Sequence, residues 1–103
     1  MKLILVITNM PDFDSAKNLG SKLVDLRLAA CINIIPGIKS IYRWESKVVQ
    51  ENEVMLFIKT SEEKYPILEE KILKMHPYDT PEIIGLPLEN VTKKYSQWIL
   101  SEI

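Results

Sequence analysis

The sequence predicts an α+β fold: two helices laid on one face of a four-stranded antiparallel sheet, with an extended hairpin and a short C-terminal helix. Three observations carry it. Apolar, β-branched runs alternate with helical stripes in the order β-α-β-β-α-β-α. The second and third strands are joined by no more than a three-residue turn. The chain has 103 residues, 47% of them hydrophobic and 26% charged, an ordinary composition for residues 1–103 as one domain with a modest core.

The elements follow in order. Residues 3–7, LILVI, read as a buried strand that Pro11-Asp12 ends. Asp12 or Asp14 caps the next helix, whose stripe is Ala16, Leu19, Leu23 and Leu26. Gly20 either weakens that helix or permits close packing. Residues 29–35 form a second strand, stopped by Pro36-Gly37, a turn or bulge signal. Residues 38–44 continue extended, Glu45-Ser46-Lys47 turn the hairpin, and residues 48–60 return. Ser61-Glu62-Glu63 opens a second helix with acids suited to its dipole, and Pro66 sits near the start, where a missing N–H costs least. Tyr65, Leu68, Ile72 and Met75 make its stripe. Residues 83–88 are a fourth strand with Pro87 at an edge, and Thr92 caps a last helix carrying Tyr95, Trp98 and Ile99.

A split βαβ, ferredoxin-like sandwich is the simplest architecture for this order. It leaves one sheet face to solvent, and that face should be polar. It is not. Ile4 and Val6 oppose Leu3, Leu5 and Ile7; Val54, Leu56 and Ile58 oppose Met55 and Phe57; Ile32 and Ile34 oppose Ala29, Cys31 and Ile35. The last helix can cover only part. The expected remedy is self-association through the sheet, helped by a hairpin that offers Tyr42 and Trp44.

Several function classes are disfavoured. A net charge of −1 gives nucleic acid little to bind. A single cysteine suits a reducing compartment, and the N-terminal apolar run is too short for a signal core or membrane span. A soluble cytoplasmic protein with no membrane partner is expected. Three scattered glycines make no phosphate loop, and no nucleophile-elbow motif is present, so the chain does not read as an enzyme.

Two sets of residues are candidates for binding. His76, the only histidine, lies in KMHPYDTPEI. It reads either as a helix end whose imidazole meets the last carbonyls before Pro77, or as a metal ligand. Cys31 reads as a small buried hydrophobe or as a second metal donor, and with Met10 and Met75 its sulfur would favour Cu(I). No cofactor is obligatory; copper or another divalent ion is the candidate ligand. Lys59, closing an apolar strand, can meet a small anion or Glu82, with Tyr42, Trp44 and Tyr78 lining a cleft at a subunit boundary. Lys39, Arg43, Glu45, Lys47, Glu51 and Glu53 read as cross-strand ion pairs on a solvated arm.

The strings LAACINIIPGIKSIYRWESK, KT, HPYDTPEIIGLP and YSQW occur in this order over nearly the whole chain. Together they resemble the CutA family of divalent-cation tolerance proteins. The resemblance implies a ferredoxin-like subunit, a tight homotrimer, cytoplasmic residence in microbes and a link to tolerance of copper and other heavy metals. The family fold is similar to that of the PII signalling proteins, so the alternative implied function is a small-molecule or partner sensor. Many members carry glycine in the hairpin turn, where this chain has Ser46. In some members copper is attributed to a cysteine after the first strand and to paired histidines before Pro-Tyr; here those positions are Thr8 and Met75-His76, and His76 alone matches.

Overall fold

The computed structural model describes residues 2–103. Its strands are β1 (Leu3–Met10), β2 (Cys31–Trp44), β3 (Lys47–Ser61) and β4 (Ile83–Pro87); its helices are α1 (Phe13–Asp25), α2 (Tyr65–Met75) and α3 (Lys93–Glu102). One sheet holds all four strands in the order β2-β3-β1-β4, and every neighbouring pair is antiparallel. This is the ferredoxin-like arrangement that the element order predicts.

Helix α1 begins where Asp12 Oδ1 accepts the Ser15 N–H at 2.7 Å, which satisfies one of the free donors of the first turn. Ala16, Leu19 and Leu23 are fully buried against the sheet. Leu26, read as the end of that stripe, is instead exposed, because the helix stops at Asp25 and Arg27 turns left-handed at φ 57°. A Cβ on Gly20 would stand 3.0 Å from Ile32 Cγ2, so this glycine serves close packing of α1 on β2. Before α2 the chain makes a 3-10 turn, Glu62–Lys64, where the Ser61 hydroxyl accepts the Lys64 N–H. Leu68 and Ile72 then face the core, flanked by the partly buried Tyr65 and Met75. Thr92 occupies the position before α3, but its side chain makes no capping bond.

The core lies between the helices and one sheet face. Ile4, Val6 and Met10 from β1, Val54, Leu56 and Ile58 from β3, and Ile32 and Ile34 from β2 meet α1 and α2 there. Register lays out the other face in cross-strand rows, two of which span all four strands. Cys31, Lys59, Leu5 and Leu86 stand side by side, and so do Asn33, Phe57, Ile7 and Ile84. Helix α3 covers only the end of this face, where Ile99 packs on Leu3 and Ala30. Beyond it Leu5, Ile7, Ile35, Met55 and Phe57 are half-buried, while Ile84 and Leu86 are exposed.

Strands β2 and β3 run on past the end of β1 as a two-stranded arm, and the molecule measures 45 × 25 × 23 Å. The Pro36-Gly37 signal is a bulge: Ile35 pairs with Met55 but Ile38 pairs with Glu53, so β2 holds one extra residue, with Gly37 at φ 77°. At the tip Trp44 pairs with Lys47, and Glu45 and Ser46 both take positive φ, 49° and 66°. That is the primed two-residue turn that suits strand twist. A left-handed backbone costs a residue with a Cβ roughly 1–2 kcal/mol. Ser46→Gly is therefore expected to raise stability by about 1 kcal/mol in urea unfolding, with no change in association. An unchanged or lowered midpoint would show that Ser46 sits there without strain.

Candidate functional site

The polar groups gather where β1 ends and the arm begins. His76 follows directly on α2, held by a backbone bond from its N–H to the Ile72 carbonyl at 2.8 Å. Pro77 cannot continue the helix, so the chain turns back toward the sheet. There the His76 Nε2 lies 2.7 Å from the Asn9 carbonyl oxygen. A carbonyl can only accept, so Nε2 carries the proton. Nδ1 is then left to accept the Tyr78 N–H at 3.2 Å. Leu88 N–H bonds the Leu3 carbonyl at the other end of the same edge of β1. His76 thus extends, with a side chain, the ladder that β4 makes only as far as Thr8.

Tyr78 continues the network. Its ring sits 4.8 Å from the imidazole, and its hydroxyl donates to Glu53 Oε2 at 2.9 Å. Burial first, then the Glu53 carboxylate, pushes the Tyr78 phenol well above its ordinary pKa, with smaller contributions from Glu51 and Tyr42. Tyr42 is raised too, chiefly by Glu51. Glu53 is buried, whereas the sequence suggested a solvated ion pair. Among the described residues only Arg27–Glu102 and Glu70–Lys74 form ion pairs, so the cross-strand pairs expected along the arm are not made. Polar and apolar residues stand opposite its charges: Asn52 opposes Lys39, and Val48 opposes Arg43.

The structure separates most of the other candidates. Cys31 and Lys59 are direct cross-strand neighbours on the uncovered face. Lys59 Nζ donates to Asn33 Oδ1 at 2.6 Å, lies 3.9 Å from Cys31 Sγ and 5.8 Å from the centre of the Tyr95 ring. No carboxylate among the described residues pairs with it. Glu82, adjacent to the strand end at Ile83, is on the order of 15 Å from Lys59 by strand spacing and rise. Trp44 lies roughly 40 Å up the arm from it. Within one chain Tyr42 lies near Tyr78, while Lys59 stands apart from both Glu82 and Trp44. His76 and Cys31 are also on the order of 15 Å apart, since Asn9 and Cys31 belong to different rows two strands away. Met10 and Met75 belong to the core on the opposite face from Cys31, so the soft sulfurs do not converge. No three His, Cys, Asp or Glu side chains among the described residues converge on one point.

Sequence reasoning missed two residues here. Asn33, the partner of Lys59, carried no local signal. Glu53 could have been flagged, because it is the last charge before the apolar run VMLFI and so adjoins the body of the sheet.

Residues 4–102 match the family model described as CutA1 divalent ion tolerance protein. A divalent-cation tolerance protein CutA from Thermus thermophilus is 40% identical over 95 residues, 92% of each chain. Protein CutA, chloroplastic, from Arabidopsis thaliana is 41% identical over 96 residues, which are 93% of this chain and 53% of that one. The solved periplasmic divalent cation tolerance protein CutA from Archaeoglobus fulgidus superposes with a TM-score of 0.94 at 32% identity, covering 97% of both chains. The relatives thus span different compartments. No helix among the described residues is long and apolar enough to cross a membrane.

Burial outweighs the Asn9 and Glu53 contacts and lowers the His76 pKa below 6.5. The unfolded chain therefore takes up this proton first as pH falls. The stabilisation is complete above pH 6.5 and is lost as pH drops toward the folded value. In chelator-treated buffer, stability should fall more steeply from pH 7.5 to 5 for the natural chain than for His76→Gln, which keeps a donor for Asn9 but does not titrate. Parallel profiles in urea unfolding would remove His76 as the cause.

Proposed function

Because the chain belongs to the CutA1 divalent ion tolerance protein family, we propose that it is a non-enzymatic homotrimer that supports metal tolerance by binding divalent or soft metal ions, copper among them. The observation that carries this is the uncovered sheet face. Leu5, Ile7, Met55, Phe57, Ile84 and Leu86 form a contiguous apolar surface that α3 covers only at its end. At roughly 25 cal/mol per Å2, burying such rows contributes several kcal/mol per copy. Three copies packed by these faces shelter all of them together, and the arms, with Ile41, Trp44 and Val48 exposed, reach across neighbours.

The metal reading follows from association. No three His, Cys, Asp or Glu side chains among the described residues converge, so a soft-metal site built on Cys31 takes ligands from more than one copy. Cys31 is the candidate donor, because its thiol lies on the face that association buries and sulfur suits Cu(I). His76 is the poorer one, since a metal on Nδ1 displaces the Tyr78 N–H bond. The lone free thiol also supports cytoplasmic residence. A sensing role through Lys59, Tyr42, Trp44, Tyr78 and Glu82 has less behind it, since within one chain Lys59 stands apart from Glu82 and Trp44 and the relatives' names speak of tolerance.

Sedimentation at micromolar concentration should give a trimer, and Phe57→Glu should yield folded monomers. A natural chain that sediments as a monomer ends the proposal. Calorimetric titration with copper should weaken at least tenfold in Cys31→Ser and little in His76→Ala. Equal binding by all three chains would take both residues out of the site.

A further inference from the structure

The root of the arm collects more acceptors than donors. Glu53 is 7% exposed; among the described residues its one hydrogen-bond partner is the Tyr78 hydroxyl, and no cation pairs with it. Asn9 is 6% exposed, and its buried Oδ1 has no partner among the described residues. The two side chains share one face of the sheet, because Asn9 opposes Met55 and Glu53 is two residues further along β3. They are diagonal cross-strand neighbours. His76 and Tyr78 close the spot from the side, one on the Asn9 carbonyl and the other on the Glu53 carboxylate. Glu51, whose charge raises the Tyr42 and Tyr78 phenols, adds a second carboxylate nearby.

A buried carboxylate with one neutral donor and a buried amide oxygen with none are both costly to leave so. Together they match the needs of one kind of ligand. We propose that Asn9 Oδ1, the Glu53 carboxylate and the Tyr78 hydroxyl bind a hard divalent cation, of the magnesium, calcium or manganese class, with Glu51 adding charge from the arm. The donor set is oxygen throughout, which selects hard ions over copper. Glu53 supplies the charge, Asn9 a neutral oxygen fixed by the sheet, and Tyr78 a third oxygen on the loop that His76 pins down. This refines the metal-binding reading above, yet stands apart from Cys31 in position and in ligand chemistry.

Terbium(III) is the probe, since it mimics hard ions and its emission is sensitised by nearby phenols such as Tyr78 and Tyr42. The natural chain should give saturable emission that calcium or manganese displaces. Glu53→Gln should weaken binding at least tenfold and Asn9→Ala several-fold. Both should keep the ion-free melting profile and oligomeric state of the natural chain. Should Glu53→Gln fail to fold, Asn9→Ala and Glu51→Gln carry the test, each with several-fold weaker binding. Cys31→Ser should bind terbium as the natural chain does, even where it has lost copper, which separates this site from the soft-metal one. Emission that does not saturate, or undiminished binding in the folded Asn9 and Glu53 variants, overturns the proposal.

Discussion

Two helices can shield one side of a four-stranded sheet and no more. Everything else about this molecule is arranged around that shortage. Helices α1 and α2 take the face with Val6, Leu56 and Ile58, and α3 is spent on the corner around Leu3 and Ala30. The remaining rows keep Leu5, Ile7 and Phe57 in a half-sheltered state that a lone chain cannot improve. An apolar strand pattern on both sides exceeds what the chain's own helices can cover, because burying one side more tightly does nothing for the other.

Much of this was legible in the residues. Strand positions follow from β-branched runs, and the two-sided apolar pattern is visible in LILVI and VMLFI without any structure. Where the sequence misled, tertiary context decided. Leu26 continues the helical stripe by spacing, but the chain leaves the helix one residue earlier and puts it in solvent. Glu53 sits in a polar stretch, yet the turn after α2 folds back over it and buries it. Ser46 stands at a left-handed position that favours glycine, and the turn forms because strand twist calls for that geometry. The candidate binding residues fared worst, since proximity between His76, Cys31, Lys59 and Glu82 depends on row and register, which local spacing does not carry.

KMHPYDTPEI is first a joint. It ends α2, spends its histidine on the open edge of β1, and sets a tyrosine on the acid at the foot of the arm. One imidazole thereby links a helix terminus, a strand edge and the hairpin's base. Its two nitrogens must play opposite roles for this to hold, a donor toward Asn9 and an acceptor toward Tyr78, and only the neutral ring can do both. The short β4 that follows is positioned by the same turn.

The extra residue in β2 near Gly37 has a consequence for what the hairpin shows to the outside. Pairing continues after the bulge with Ile38 opposite Glu53, so Ser40, Tyr42 and Trp44 line up with Glu51, Val49 and Lys47. Without that insertion the parity of the strand would invert, and Ile41 and Arg43 would stand where the two aromatics now do. A single backbone position therefore acts as a phase shifter: it chooses which alphabet of side chains each surface of the projection displays, while leaving the inner half of the strand in step with its neighbours.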